Sequence, residues 1–147
     1  MKIAMACDHG AFEYKEDIKK MLIDMKHEIE DFGCHDGSSV DYPDVAYPAV
    51  KSVVDKKNER AIVLCGTGIG VSVVANKVDG IRCALCHDCF TAKVTREHND
   101  SNVLAMGQRV IGIGLAKEIV KLWIETPFSN DERHQRRIDK ITAIEKK

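Results

Sequence analysis

Apolar positions along the chain fall into two alternating kinds of segment. Short, nearly continuous apolar runs bounded by polar or glycine-bearing stretches predict strands buried on both faces. They cover Lys2 to Cys7, Arg60 to Cys65 around Ala61-Ile62-Val63-Leu64, Ile81 to Leu85, and Asn102 to Met106. Glu28 to Phe32 predicts a shorter fifth strand. Between them the spacing changes to that of a helix. Ile18, Met21, Leu22 and Met25 make one buried stripe on a helix from Phe12 to Lys26. Leu115, Ile119, Leu122 and Trp123 make another on a helix from Gly112 to Glu125. Further helices are predicted over Pro43–Lys57, with Pro48 expected to break or kink it, Gly70–Lys77, Phe90–His98 and Asp131–Lys146. Gly33 to Tyr42 reads as a loop rich in Gly, Ser and Asp, and Thr126 to Asn130 as a short linker containing Pro127.

Strand followed by helix, repeated about five times, predicts an α/β/α sandwich of the doubly wound, Rossmann-like kind. It has a parallel sheet of about five strands and ends on a C-terminal helix. One domain over residues 1–147 is expected from the length. In such folds ligands sit outside the carboxyl ends of the strands. That rule selects Cys7-Asp8-His9, the turn after Cys65, Cys86-His87-Asp88 and the loop after Met106.

Composition narrows the classes. Hydrophobic residues make up 44% and charged residues 31%, as in ordinary globular proteins. No apolar run approaches the ~20 residues that span a bilayer. The amino-terminal run stops too soon, at Asp8-His9, for a signal peptide. A cytoplasmic location is the expectation. With 22 basic and 23 acidic residues the net charge is -1, which gives no drive toward nucleic acid or an anionic membrane. An anion would have to be held by a local site. The six cysteines (7, 34, 65, 83, 86 and 89) read as free thiols, since nothing points to secretion.

The most chemical-looking segment is Cys65-Gly66-Thr67-Gly68-Ile69-Gly70, a turn from a strand into a helix. Glycines let such a turn close tightly and present N–H groups to an anion, and the helix amino end adds partial positive charge. The spacing is G-x-G-x-G, so it is not the dinucleotide fingerprint, and it lacks the lysine of a P-loop. The position six after Cys65 is Val71, where a cysteine phosphatase would have arginine. A structural turn with a buried cysteine stays open on these residues alone. Thiols beside helix amino ends tend toward the thiolate, which suits a nucleophile or a base.

Cys83, Cys86 and Cys89 enclose His87 and have a spacing that could hold zinc. Strand alternation would point Cys83 and Cys86 to opposite faces, however, and no second cysteine pair follows. No metal or other cofactor is expected.

Taken together, Cys7-Asp8-His9, Asp41-Tyr42-Pro43, the 65–70 turn, Ala75-Asn76-Lys77, Gly80-Ile81-Arg82, His98-Asn99-Asp100-Ser101-Asn102, Gly107-Gln108-Arg109-Val110 and Arg133-His134-Gln135-Arg136-Arg137 resemble ribose-5-phosphate isomerase B. The resemblance is collinear over essentially the whole chain. The wider family includes galactose-6-phosphate and allose-6-phosphate isomerases. The resemblance implies a metal-free aldose–ketose isomerase working through an enediolate. It also implies a homodimer with active sites between subunits, and leaves open whether dimers pair into a tetramer. Cys65 would be the base; the glutamate some members use is absent from Val71 to Lys77. His98 would assist ring opening, with Thr67 and Asp8 also in the catalytic group. Asp8, Tyr42, Asn99 and the 66–70 turn (Gly66, Thr67, Gly68, Ile69 and Gly70) would hold the sugar. His9, Arg109, Arg133 and Arg137 would hold the phosphate.

The residue chemistry agrees with these roles without requiring them. A histidine titrates near neutrality, as ring opening needs, though His98 alone also reads as a surface residue at a helix end. Arg133 and Arg137 are four apart and share a helix face suited to a phosphate; a solvated basic face is the plain alternative. Six-carbon sugar phosphates, a non-catalytic anion-binding module and a metal-binding regulator are the competing functional readings.

Overall fold

A computed structural model describes all residues 1–147. Five strands form one parallel sheet: β1 (Lys2–Cys7), β2 (Glu28–Asp31), β3 (Arg60–Cys65), β4 (Cys83–Leu85) and β5 (Val103–Gly107), in the order β2-β1-β3-β5-β4. Six helices connect and cover them: α1 (Phe12–Asp24), α2 (Tyr42–Val54), α3 (Ile69–Asn76), α4 (Cys89–Asn99), α5 (Ile113–Glu125) and α6 (Glu132–Ile144). This is the doubly wound α/β/α sandwich expected from the alternation of runs.

The two faces of the sheet differ in bulk, and the strands show why. Ile3, Met5, Ile62, Leu64, Leu104 and Met106 point to one face, where α1, α4 and α5 pack with Ile18, Leu22, Ala92, Ile119 and Trp123. Ala4, Ala6, Ala61, Val63 and Ala105 point to the other, against Ala46, Ala49 and Val50 of α2 and Val71 and Ala75 of α3. Small side chains on both partners let α2 and α3 lie close to the sheet. Cys65 is on this second face, at the carboxyl end of β3, and α3 starts four residues after it. α6 extends the chain beyond the sandwich and leans on α4, where the His98 and His134 rings lie 4.3 Å apart between centroids.

Two details depart from the sequence expectation. α2 runs through Pro48 without interruption. The carbonyl that loses its amide partner there belongs to Asp44 in the exposed first turn, where water can serve it. The stretch before α1 is a short 3-10 turn, His9–Ala11, because Asp8 Oδ1 accepts from Gly10 N at 2.8 Å and caps it.

No helix is long and apolar enough to cross a membrane. Cys83 packs with the α2/α3 side and Cys86 and Cys89 with the opposite side, so the three cysteines do not converge and no metal-holding cluster forms. Burial pushes the Cys83 thiol up to about 12 and raises Cys86 as well, which suits core thiols. Cys7 and Cys34 are both buried, with sulfurs 3.7 Å apart.

Candidate active site

The chain leaves β1 for the sheet edge at β2 and then crosses to β3, so the connections after β1 and β3 diverge and open a crevice between their carboxyl ends. Asp8 N donates to the Leu64 carbonyl at 3.2 Å, holding the end of β1 beside the end of β3. A Cβ on Gly10 would lie 3.1 Å from Asp8 Oδ1 and 3.2 Å from Gly66 N, so carboxylate and turn are close neighbours. A side chain at position 10 would have to push one of them back by a few tenths of an ångström.

Cys65 is 5% exposed at the crevice floor. Its Sγ accepts from Gly68 N at 3.0 Å. Gly68 has φ +76, which aims its amide back at the sulfur and starts α3. Ile69 N is taken by Thr67 Oγ1 at 3.2 Å. The N–H groups of Gly66, Thr67 and Gly70 donate to nothing within the chain. Three free donors in the turn that follows Cys65, at the amino end of α3, are available to an oxyanion.

The rim carries the other groups. Arg109 lies over Gly66, with its guanidinium 3.4–3.5 Å from where a Cβ would be, and it makes no ion pair. The Tyr42 ring covers Gly70, where a Cβ would be only 2.6 Å from the ring. His9 Nδ1 faces Val40 N at 3.4 Å and ties the 33–42 loop to the site. One chain therefore brings together Asp8, His9, Tyr42, Cys65, Gly66, Thr67, Gly68, Ile69, Gly70 and Arg109.

It does not bring His98, Asn99, Arg133 or Arg137 to them. α4 runs back against the strands, so His98 and Asn99 lie at the amino-terminal edge of the sheet. Arg82, which precedes β4, donates to the Asn99 and Asp100 carbonyls, each at 2.8 Å. Arg96 pairs with Asp100 at 2.8 Å, and the Arg82 guanidinium reaches the same carboxylate at 3.3 Å. This double clamp fixes Asp100 at φ 44 and thereby the turn that presents His98 and Asn99. His134 backs His98; burial lowers its pKa below the usual histidine range, with the charges of His98 and Arg133 adding to the effect. Arg133 and Arg137 flank His134 on the exposed part of α6. A six-residue strand, roughly 20 Å long, separates the two groups.

Sequence reasoning gave no role to Gln108, Arg82 or Lys15. Gln108 Oε1 accepts from Tyr14 N at 3.2 Å, so the chain after β5 is tied to α1. Lys15 is fully buried, and its Nζ reaches both Asp31 oxygens, at 2.8 and 2.7 Å, and the Cys34 carbonyl at 2.7 Å. It anchors the start of the loop that reaches His9. An apolar stripe hides such a lysine, because its position looks like solvent-facing polarity.

Comparison with known proteins adds the following. The sequence model of the ribose/galactose isomerase family matches residues 3–141. The Bacillus subtilis protein YwlF, a candidate sugar phosphate isomerase, is 55% identical over 148 residues, covering 100% of this chain and 99% of its own length. Ribose-5-phosphate isomerase B of Escherichia coli is 41% identical, covering 99% of this chain and 97% of its own. The solved structure of ribose-5-phosphate isomerase B from Clostridium thermocellum superposes with a TM-score of 0.97 at 45% identity, covering 99% of this chain and 98% of that one.

Proposed function

The chain belongs to the ribose/galactose isomerase family and is a sugar-phosphate isomerase; we propose that it interconverts ribose 5-phosphate and ribulose 5-phosphate, with Cys65 as the base. The observation that carries this reading is the Cys65 sulfur and, in the turn that follows it, three unused N–H donors. Aldose–ketose isomerisation needs that pair: a base for the proton on C2, and donors for the oxyanion that forms as it leaves. The sulfur takes the C2 proton of the open-chain aldose while the C1 oxygen gains charge. It then returns a proton to C1 while the O2 hydroxyl proton passes to the C1 oxygen, leaving a C1 alcohol and a C2 ketone, so no oxidant or reductant is consumed. Oxyanion donors of this kind contribute about 3 kcal/mol each.

The second half of the site comes from another copy of the chain. His98, Asn99, Arg133 and Arg137 cannot reach Cys65 of their own chain without dismantling the sheet. A two-fold dimer that places the amino-edge group of one copy against the crevice of the other completes both sites at once. Exposed apolar residues around the crevice support this: Ile69 is 56%, Val73 53% and Val110 52% exposed, beside Leu85 and Tyr42. In that dimer His98 opens the sugar ring. Arg133 and Arg137 join His9 and Arg109 around the phosphate.

Turnover of ribose 5-phosphate measured beside allose 6-phosphate and galactose 6-phosphate tests the reading. The five-carbon sugar should show the highest kcat/KM. Cys65→Ala should lower kcat by about 10²–10⁴-fold with an unchanged circular dichroism spectrum. A Cys65→Ala protein that keeps most of its activity removes Cys65 as the base. A preference for a six-carbon sugar changes the substrate and leaves the chemistry in place.

A further inference from the structure

We propose that His87 is a positioning residue for the catalytic turn: its imidazole replaces a missing rung of the sheet and holds the end of β5 against Cys65 and Arg109. The inference rests on the isomerase site described above.

Strand β4 ends at Leu85, paired with Ala105, and the last backbone rung on that side is Cys86 N to the Ala105 carbonyl at 3.1 Å. The next donor along β5 facing β4 is Gly107 N. A strand that continued would offer it a carbonyl; here the chain has turned away toward α4. Gly107 N donates to His87 Nε2 instead, at 3.0 Å. The far side of the same segment is stapled to the catalytic turn. Gln108 N donates to the Cys65 carbonyl at 3.0 Å and Arg109 N to the Gly66 carbonyl at 2.9 Å. The fit between them is tight: a Cβ on Gly107 would lie 2.4 Å from the Thr67 carbonyl carbon. Residues 107–109 are thus held between the 65–67 turn on one side and a single imidazole on the other. Release of that imidazole frees the backbone that sets where the Arg109 guanidinium stands over Gly66.

Only an unprotonated Nε2 can accept from an amide, so the proton of the neutral ring is on Nδ1. Burial lowers the pKa of His87, and Asp88 opposes this; no charged group of β5, the 66–70 turn or the 107–109 segment contributes. The neutral ring is therefore the resting form near pH 7. Acid converts the acceptor into a second donor facing Gly107 N–H. Substrate capture should weaken with it, before the fold is lost.

The test is the pH profile of kcat/KM for ribose 5-phosphate from pH 5 to 8.5 in the parent, His87→Gln and His87→Ala. A glutamine oxygen reaches about as far as Nε2 and accepts at every pH. His87→Gln should stay within about threefold of the parent above pH 7.5 and fall several-fold less than the parent on going to pH 5.5. His87→Ala should lose about tenfold or more above pH 7.5, the loss expected from a buried donor left unpaired, with the gap to the parent narrowing toward pH 5.5. Superimposable profiles for His87→Gln and the parent, or parent-like kcat/KM in His87→Ala above pH 7.5, would overturn the proposal. A readout independent of turnover separates its failure from that of the isomerase reading. Nitrogen NMR of the imidazole at pH 8 should show the Nδ1–H tautomer, and an Nε2–H tautomer overturns the role of His87 even if Cys65→Ala abolishes catalysis.

Discussion

Alanine at position 68 should damage stability and catalysis together, for reasons that can be worked through in order. Gly68 has φ +76, a conformation that costs an ordinary residue about 1–2 kcal/mol. Its added Cβ would meet Leu85 Cδ1 at 2.6 Å, which can swing aside, and the Met106 carbonyl carbon and Cα at 2.7 and 2.9 Å, which cannot. Met106 lies in β5, paired with Leu64 of β3 in the middle of the sheet. Overpacking against such a backbone costs a further ~1–3 kcal/mol. The sum, about 2–5 kcal/mol, should lower the urea midpoint by about 1 M or more. The same shift moves the amide that points at Cys65 Sγ, and a displacement of about 1 Å in a catalytic group costs about 10²-fold in rate. Gly114→Ala is the matched control: nothing lies within 4 Å of its Cβ position in α5, so helix propensity alone acts and adds up to about 1 kcal/mol. Both are measured by urea unfolding at one fixed protein concentration, because assembly would shift the midpoint, and by kcat/KM. A Gly68→Ala protein with the parent's midpoint and activity within twofold would refute the packing argument for this turn.

Three other outcomes follow from the same contacts. Lys15→Met should cost about 3 kcal/mol by urea unfolding, because it leaves the buried Cys34 carbonyl without a partner and takes from Asp31 its buried counter-charge; parent-like stability would show that Lys19 and the Gly33 amide suffice to hold Asp31. Arg137→Ala should raise KM for phosphorylated substrates much more than it lowers kcat, since the phosphate is remote from the reacting carbons, and an unchanged KM removes Arg137 from the phosphate site. Acid should destabilise the protein from about pH 6.5 downward. Burial first of all lowers the pKa of His27, His87 and His134, so in that window the unfolded chain binds more protons than the folded one and stability rises with pH. A urea midpoint that is flat or rising from pH 7 to pH 5 contradicts this.

Much of this was legible in the sequence, for identifiable reasons. The apolar runs at Lys2–Cys7 and Arg60–Cys65 announced central strands because both sheet faces are covered, and the strand-end rule then located Asp8, the 65–70 turn and residues 86–88 together. The sheet order was not legible. β4 lies outside β5, and nothing local in Cys83–Leu85 states which neighbour it will take. The separation of His98 and Arg133 from Cys65 within one chain was not legible in the residues themselves, although the family resemblance implied sites between subunits. His98 and Arg133 look like partners of Cys65 in a linear motif, and only the antiparallel return of α4 puts them at the far edge of the sheet. Pro48 does not break α2 because the hydrogen bond it removes is one that water can replace at Asp44. Lys15 and His87 escaped because their roles depend on a carbonyl and an amide presented by distant backbone.

The claim on which the account turns is that each site joins Cys65 of one copy to His98 of another. Mixing Cys65→Ala with His98→Asn protein, dissociating and reassociating them, tests it by turnover of ribose 5-phosphate. Each mixed dimer has one site with both residues intact, and half of randomly formed dimers are mixed, so activity should recover to about one quarter of the parent's although both parents of the mixture are nearly inactive. Recovery no greater than the sum of the separate variants would contradict a site shared between two copies.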